Sequence, residues 1–492
     1  MKIYKYIFIF VLFLNKISLN YCISLDIKVV PFSNRYHNLA NNMIYKLRNL
    51  SPEVKDIFGS MFKLNYYYSN FYIGDSMEKQ GFILDTGSSI TTSSCSLCKK
   101  CGNHIYPPYH INSKRKIISC EDMKCKMMQS KCEKSKCSFK INYAEGSSLK
   151  GIYINQKFNF NNKNLSSNIE IPIGCTLSEN HLFYKQEVNG IMGLSNNEYN
   201  FVNILYKLGR INKNIFSLCF AQLGGVFNIG EINHDIHKTN ITYIPILTEK
   251  NKYYKININY IYINDKKLEA YSEEDNIFIL DSGSTISYFN NKLFDEITNK
   301  IFYECKAFNK SGACGDYKYD SILGNCFYFN NTFELNESIY NYWPIISFYL
   351  GNYIYKWYPY NYYFNITSDN KIGACMGFNK VNKKRNTLGG SWMIGHDIIF
   401  DNQNNIIGIA EADCFQNKNL NKTNGLEFID INKKYNNKNK IHNILITILV
   451  MFIDIIILVL LICIIYKKRK INIKKMEKII IIKDIIANNE IN

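Results

Sequence analysis

Apolar and polar positions alternate with a period of two around residues 62–74, and a helical period is confined to a few other places. Residues 62–74 alternate in this way among many Tyr and predict a strand. Two short continuous apolar runs, Ile83-Leu84 and Ile279-Leu280, suit strands buried on both faces. Phe139 to Gly151 reads as strand, Gly-Ser tip, strand, and predicts a hairpin. Helical spacing occurs at 40–50 and at 201, 204, 205 and 208, where Gly209 ends the element. The two ends differ from the body. Lys2 and Lys5 precede an apolar run from Tyr6 to Leu14, the layout of a secretory signal peptide with cleavage near residues 18–22. Residues 444–466 form an apolar run of 23 residues, long enough to span a bilayer.

Composition adds a compartment. Sixteen cysteines among 492 residues imply an oxidising environment. Lys467, Lys468, Arg469 and Lys470 follow the apolar run directly, which places the tail in the cytosol and the body in the lumen or outside. Asp454 falls within the span, where an ionisable group is costly. A net charge of +18 raises the question of nucleic acid, but no nucleic-acid motif accompanies it. The lysines are spread widely and read as a solvated surface. Sequons at Asn49, Asn164, Asn240, Asn309, Asn330, Asn336, Asn365 and Asn421 permit glycosylation, though an Asn-rich chain produces many by chance.

The candidate chemistry lies at the ends of the two buried runs. Ile83 to Ser89 read Ile-Leu-Asp-Thr-Gly-Ser-Ser, and Ile279 to Thr285 read Ile-Leu-Asp-Ser-Gly-Ser-Thr, 196 positions later. Each carries an aspartate off a strand into a turn that Gly permits. Two such loops suggest two related lobes facing each other. Serine-hydrolase and zinc-protease constellations are missing: no Ser sits in G-x-S-x-G, and there is no H-E-x-x-H. His181, His234, His237 and His396 are scattered and read as surface or loop positions. Cys95, Cys98 and Cys101 have C-x-x-C-x-x-C spacing, which alone suggests zinc; with Cys120, Cys125, Cys132 and Cys137 in a secreted chain, disulfides are the better reading.

These residues resemble the pepsin-like aspartic proteases, whose signature is Asp-Thr-Gly-Ser in one half and Asp-Ser-Gly-Ser in the other. The resemblance implies a mostly β, bilobal pepsin-like fold with the active-site cleft between two β lobes, plus one C-terminal transmembrane helix. It implies a signal peptide at 1–22 and an N-terminal segment, a possible propeptide, at 23–60. An N-terminal lobe follows at 61–238, with a cysteine-rich insert (95–137) and a flap (138–151). The C-terminal lobe is 239–416, then come a linker (417–443), the transmembrane helix (444–466) and a basic cytosolic tail (467–492). Asn189 to Leu194 resembles the apolar-Gly segment behind the active site. Ile215 to Cys219, Phe227 to Ile232, Trp392 to Asp397, Phe400-Asp401 and Ile406 to Ala412 resemble the family's closing strands.

By the same resemblance Asp85 and Asp281 are the catalytic pair, activating a water without metal or cofactor. Thr86 and Ser282 cross-brace the loops. Ser88 and Ser284 hydrogen-bond the carboxylates, and Gly87 and Gly283 let backbone N–H groups approach. Tyr143 is the flap aromatic, with Gly146 at the tip. The family often places Trp seven residues after the first aspartate; here that position is Thr92. The cysteine-rich insert resembles the nepenthesin type, with Cys175 completing four bridges in the first lobe. Cys219, Cys305, Cys314, Cys326, Cys375 and Cys414 leave three for the other. The whole layout resembles the membrane-anchored export proteases of malaria parasites within this family. That implies an endoplasmic-reticulum enzyme cleaving protein substrates after Leu in an Arg-x-Leu motif, open to pepstatin-like inhibitors. Glu145 and Gln186 are placed to receive the Arg guanidinium. A general membrane-bound protease without Arg selectivity, or an inactive binding protein on the same fold, are the alternatives.

Overall fold

The computed structural model describes residues 53–414, apart from 61–65, 113–116, 123, 126–129, 144–145, 161–167, 248–251, 270, 272–275, 308–315, 321–323, 330–342, 369–370 and 383–384. The signal-peptide, linker, transmembrane and tail assignments and Glu145 lie outside the described residues. Among the described residues no helix is long and apolar enough to cross a membrane. The body is mostly β, as the family resemblance implies.

Eleven strands build the first half: β1 (Glu53–Ser60), β2 (Tyr66–Ile73), β3 (Glu78–Asp85), β4 (Thr92–Ser94), β5 (Lys131–Glu133), β6 (Lys136–Asn142), β7 (Ser148–Asn159), β8 (Ile169–Glu179), β9 (Gly190–Gly193), β10 (Ile215–Phe220) and β11 (Gly225–Ile229). They join one large sheet in the order β10-β11-β1-β2-β3-β9-β4-β8-β7-β6-β5. Two strands from the far end of the chain, His396–Asp401 and Ile406–Glu411, extend it beyond β10. The Cys219–Cys414 disulfide ties the end of the described body to β10. The helices include the short α1 (His181–Lys185) and α2 (Phe201–Lys207, with Gly209 at φ +63°) and the 17-residue α3 (Asn291–Ala307).

The two aspartate loops hang from matching scaffolds. β3 runs parallel to β9, pairing Leu84 with Met192 and Asp85 with Gly193. In the second half Ile277–Leu280 runs parallel to Asn386–Leu388, pairing Leu280 with Leu388. Phe82, Leu84, Phe278 and Leu280 are fully buried on one face, and Ile83 and Ile279 are buried on the other, so each strand is fixed on both faces before its aspartate leaves it.

β1 extends the picture drawn from sequence, where 53–60 fell within the N-terminal segment. It is paired with two strands: Glu53 to Ile57 lie against Ile229 to Gly225 of β11, and Phe58 to Ser60 against Tyr68 to Tyr66 of β2. Lys55 Nζ donates to the Phe160 carbonyl at 2.8 Å and lies 5.4 Å from the Phe71 ring. Burial pushes this ammonium below its ordinary pKa.

His237 and His396 correct the surface reading. His396 is 2% exposed, lies 4.2 Å from the Tyr355 ring, and is pushed down to about 4 by burial. His237 Nε2 lies 2.9 Å from Asp397 Oδ2, with both side chains buried. Partners distant in sequence hold them, which no local pattern reveals. His181 and His234 are exposed, as expected.

Stripping β1 out would leave two unpaired edges in the middle of the sheet. A variant lacking 53–60 is expected to aggregate, whereas one lacking 23–50 keeps a cooperative thermal transition; circular dichroism melting of both checks this.

Candidate active site

Each aspartate is held by its own loop. Gly87 N donates to Asp85 Oδ1 at 2.8 Å, and Ser88 Oγ donates to Asp85 Oδ2. Across the cleft, Gly283 N donates to Asp281 Oδ1 at 3.1 Å and Ser284 Oγ to Asp281 Oδ2 at 2.9 Å. Four donors thus aim both carboxyls at one spot.

The loops also hold each other. Thr86 N donates to Ser282 Oγ at 2.9 Å, and Ser282 N donates to Thr86 Oγ1 at 2.9 Å. The hydroxyls pass on their own protons: Thr86 Oγ1 to the Leu280 carbonyl at 2.9 Å, Ser282 Oγ to the Leu84 carbonyl at 2.7 Å. A small hydroxyl residue is needed at both positions, since each accepts one bond and donates another. Glycine is needed next. A Cβ at Gly87 would lie 2.5 Å from Asp281 Oδ1, and one at Gly283 would press into the Asp85 carboxyl. Each glycine therefore faces the opposite aspartate, and the two carboxyls come within hydrogen-bonding reach.

Asp85 is 5% exposed. Burial, and then the neighbouring Asp281, push it up to about 7. Two acids so placed hold one proton between them over much of the range below that value.

The flap is the β6–β7 hairpin, paired from Ser138–Ile152 to Asn142–Ser148, with Gly146 at φ +94°. Tyr143 leans over the first loop. Its hydroxyl lies 2.9 Å from Ser88 Oγ. Since Ser88 gives its single proton to Asp85, Tyr143 is the donor. Thr92, at the usual Trp position, is fully buried and bonded to the Gly174 carbonyl (2.9 Å) and Thr176 Oγ1 (2.7 Å). Gln186 is half-buried and its Nε2 donates to the Val188 carbonyl at 2.9 Å.

The cysteines pair as four bridges in the first half: Cys95–Cys175, Cys98–Cys101, Cys120–Cys132 and Cys125–Cys137. Cys326–Cys375 and Cys219–Cys414 join later segments. The side chains of Cys305 and Cys314 lie outside the described residues. Among the described residues no cluster of His, Cys, Asp or Glu is arranged to hold a metal ion. Sequence reasoning missed His104 and Glu179, a buried pair 3.0 Å apart. Their 75-residue separation carries no local signal.

Two braced loops with paired aspartates, Asp85 buried and Asp281 half-buried, under a Tyr-bearing flap define an aspartic-protease site on a pepsin-like scaffold. Comparison with known proteins agrees. Residues 67–231 match the family described as Xylanase inhibitor N-terminal, and residues 253–411 match Xylanase inhibitor C-terminal. The chain belongs to the pepsin-like aspartic protease family. It is 33% identical over 193 residues to Plasmepsin V of Plasmodium falciparum (isolate 3D7), covering 37% of this chain and 32% of that protein. Aspartic protease 5 of Toxoplasma gondii is 27% identical over 201 residues, covering 35% of this chain and 20% of that protein. Aspartic proteinase 36 of Arabidopsis thaliana is 23% identical over 384 residues, 71% of this chain and 74% of that protein. The match thus spans about a third of the length of Plasmepsin V and a smaller share of the Toxoplasma protein.

The raised Asp85 has a consequence for stability. The folded protein keeps a proton that the unfolded chain releases above the ordinary value of 3.8, so this contribution falls as pH rises toward about 7. The melting temperature of wild type relative to Asp85→Asn is expected to decline across that window; calorimetry at stepped pH checks it.

Proposed function

We propose that this protein is an aspartic endopeptidase. The observation that carries the reading is the reciprocal fit of the two loops, each glycine against the opposite aspartate. The ionised member of the pair takes a proton from a bound water as it attacks the scissile carbonyl. The protonated member donates to the carbonyl oxygen and stabilises the gem-diol. When the amide nitrogen is protonated and the C–N bond breaks, two peptides leave and the shared proton is restored. No acyl-enzyme forms.

The finer reading is a membrane-anchored protease of the endoplasmic reticulum, type I with its catalytic body lumenal, that cleaves after Leu in an Arg-x-Leu motif. It is supported by the signal-peptide layout, the apolar run at 444–466 with its basic flank, and the similarity to Plasmepsin V. A buried guanidinium needs a carboxylate or several carbonyls. Glu145, two residues beyond Tyr143 in the flap tip, is the proposed partner, with Gln186 beside the same region.

Purified protein is expected to cleave an Arg-x-Leu peptide with pepstatin sensitivity. Asp85→Asn and Asp281→Asn should each abolish turnover while leaving the melting transition cooperative. The rate should fall as pH rises through about 7, where the pair loses its shared proton. Turnover that survives either amide substitution rejects the mechanism. For specificity, Glu145→Ala is expected to cost about 100-fold in kcat/KM on Arg-x-Leu and little on Ala-x-Leu. Equal losses on both peptides would remove Glu145 from the pocket.

A further inference from the structure

The segment that follows Cys95 is stitched to the far end of β8 and to α1. Lys99 N donates to the Leu177 carbonyl at 3.2 Å, Glu179 N to Lys100 at 2.8 Å, and Ile105 N to Glu187 at 2.6 Å. Between these bonds Gly102 N donates to Glu179 Oε2 at 2.9 Å, and a side chain at 102 would collide with the Tyr184 carbonyl. His104 lies in the middle with its side chain fully buried. Its Nε2 is 3.0 Å from Glu179 Oε2, and its Nδ1 is 3.2 Å from the Gln186 carbonyl. A carboxylate and a carbonyl both accept. The arrangement is satisfied when both ring nitrogens carry a proton and donate.

These contacts close the loop 180–186, and the other side of that loop touches the flap. Asn180 Oδ1 accepts from Ser148 N at 2.5 Å, and Ser147 Oγ accepts from Leu182 N at 3.3 Å. The buried Phe183 ring lies 4.8 Å from Tyr143. His181, at the start of α1, has φ +48°, a conformation that costs an L residue energy and persists when neighbours impose it. The loop is therefore held from both ends.

We propose that His104 and Glu179 are positioning residues for the flap. Their contact fixes the 180–186 loop, the loop fixes the tip end of the flap through Asn180 and Phe183, and Tyr143 is thereby set over Ser88 and Asp85. The cysteine-rich segment acts as a strut from the disulfide-stapled edge to the catalytic cleft. This rests on the protease reading for its kinetic consequence, but its mechanical content does not.

The test uses the intact chain and the variants His104→Ala, Asn180→Ala, their double, and the neutral pair His104→Gln/Glu179→Gln. Amide exchange across 138–151, followed by mass spectrometry, is expected to quicken in His104→Ala and Asn180→Ala, and exchange across 53–60 to stay as in wild type. In folded enzyme kcat/KM on a peptide should fall by at least about tenfold in each single variant. The double should be no worse than the weaker single, because both break one chain of contacts. The neutral pair keeps a donor facing an acceptor and should recover most of the protection. If His104→Ala does not fold, Asn180→Ala and the neutral pair still decide the matter. Unchanged exchange across 138–151 in folded variants, or strictly additive losses in the double, would overturn the proposal. A wild-type protein without peptidase activity would sink the protease reading and leave the exchange result standing.

Discussion

Two like charges must be brought together in a buried place, and everything near the cleft follows from that constraint. Removing two carboxylates from water costs several kcal/mol, and their mutual repulsion adds to it. The loops oppose this with four bonds across the Thr86–Ser282 brace, each contributing about 1 kcal/mol net. Four more donors point into the carboxyls themselves. These do not suffice to hold two full negative charges. The pair lowers the remaining cost by keeping one proton, which is why Asp85 is pushed up to about 7. The same proton is what the proposed reaction uses, so the structural compromise and the chemistry coincide.

The flap is organised differently from the arrangement the family resemblance suggests. Thr92 turns into the sheet and bonds Gly174 and Thr176, so it offers Tyr143 nothing. Tyr143 instead reaches Ser88, the residue that donates to Asp85. A single path of hydroxyls joins the hairpin to the catalytic pair. The tip end of the hairpin is in turn contacted by α1 and its flanking residue Asn180, which gives the cysteine insert a mechanical reason to stand beside the flap.

The far side of the sheet shows how the halves are kept in one body. The strand at 396–401 pairs with β10, and Cys219–Cys414 pins the following segment to the same strand. His237 and Asp397 pair nearby across 160 positions. A cross-link closing so long a loop removes much freedom from the unfolded chain.

The local pattern sufficed for several elements. Ile-Leu before each aspartate marked strands buried on both faces, Gly209 marked the end of α2, and the Gly-Ser tip marked the flap hairpin. Hydroxyl and glycine neighbours identified Asp85 and Asp281 because the turn chemistry is written in consecutive residues. Eight cysteines of the first half close the four bridges expected there, whereas Cys219, counted with the second half, lies on β10 and crosses to Cys414. What remained hidden depends on contacts between residues far apart in sequence. β1 is a strand because β11 and β2 lie on either side of it. His396 is buried because Tyr355 covers it, and both ring nitrogens of His104 have partners because Glu179 and Gln186 meet it. Periodicity reports which face of an element is apolar. It does not report which distant element arrives there, and burial, pairing and the pKa of a side chain are set by that arrival.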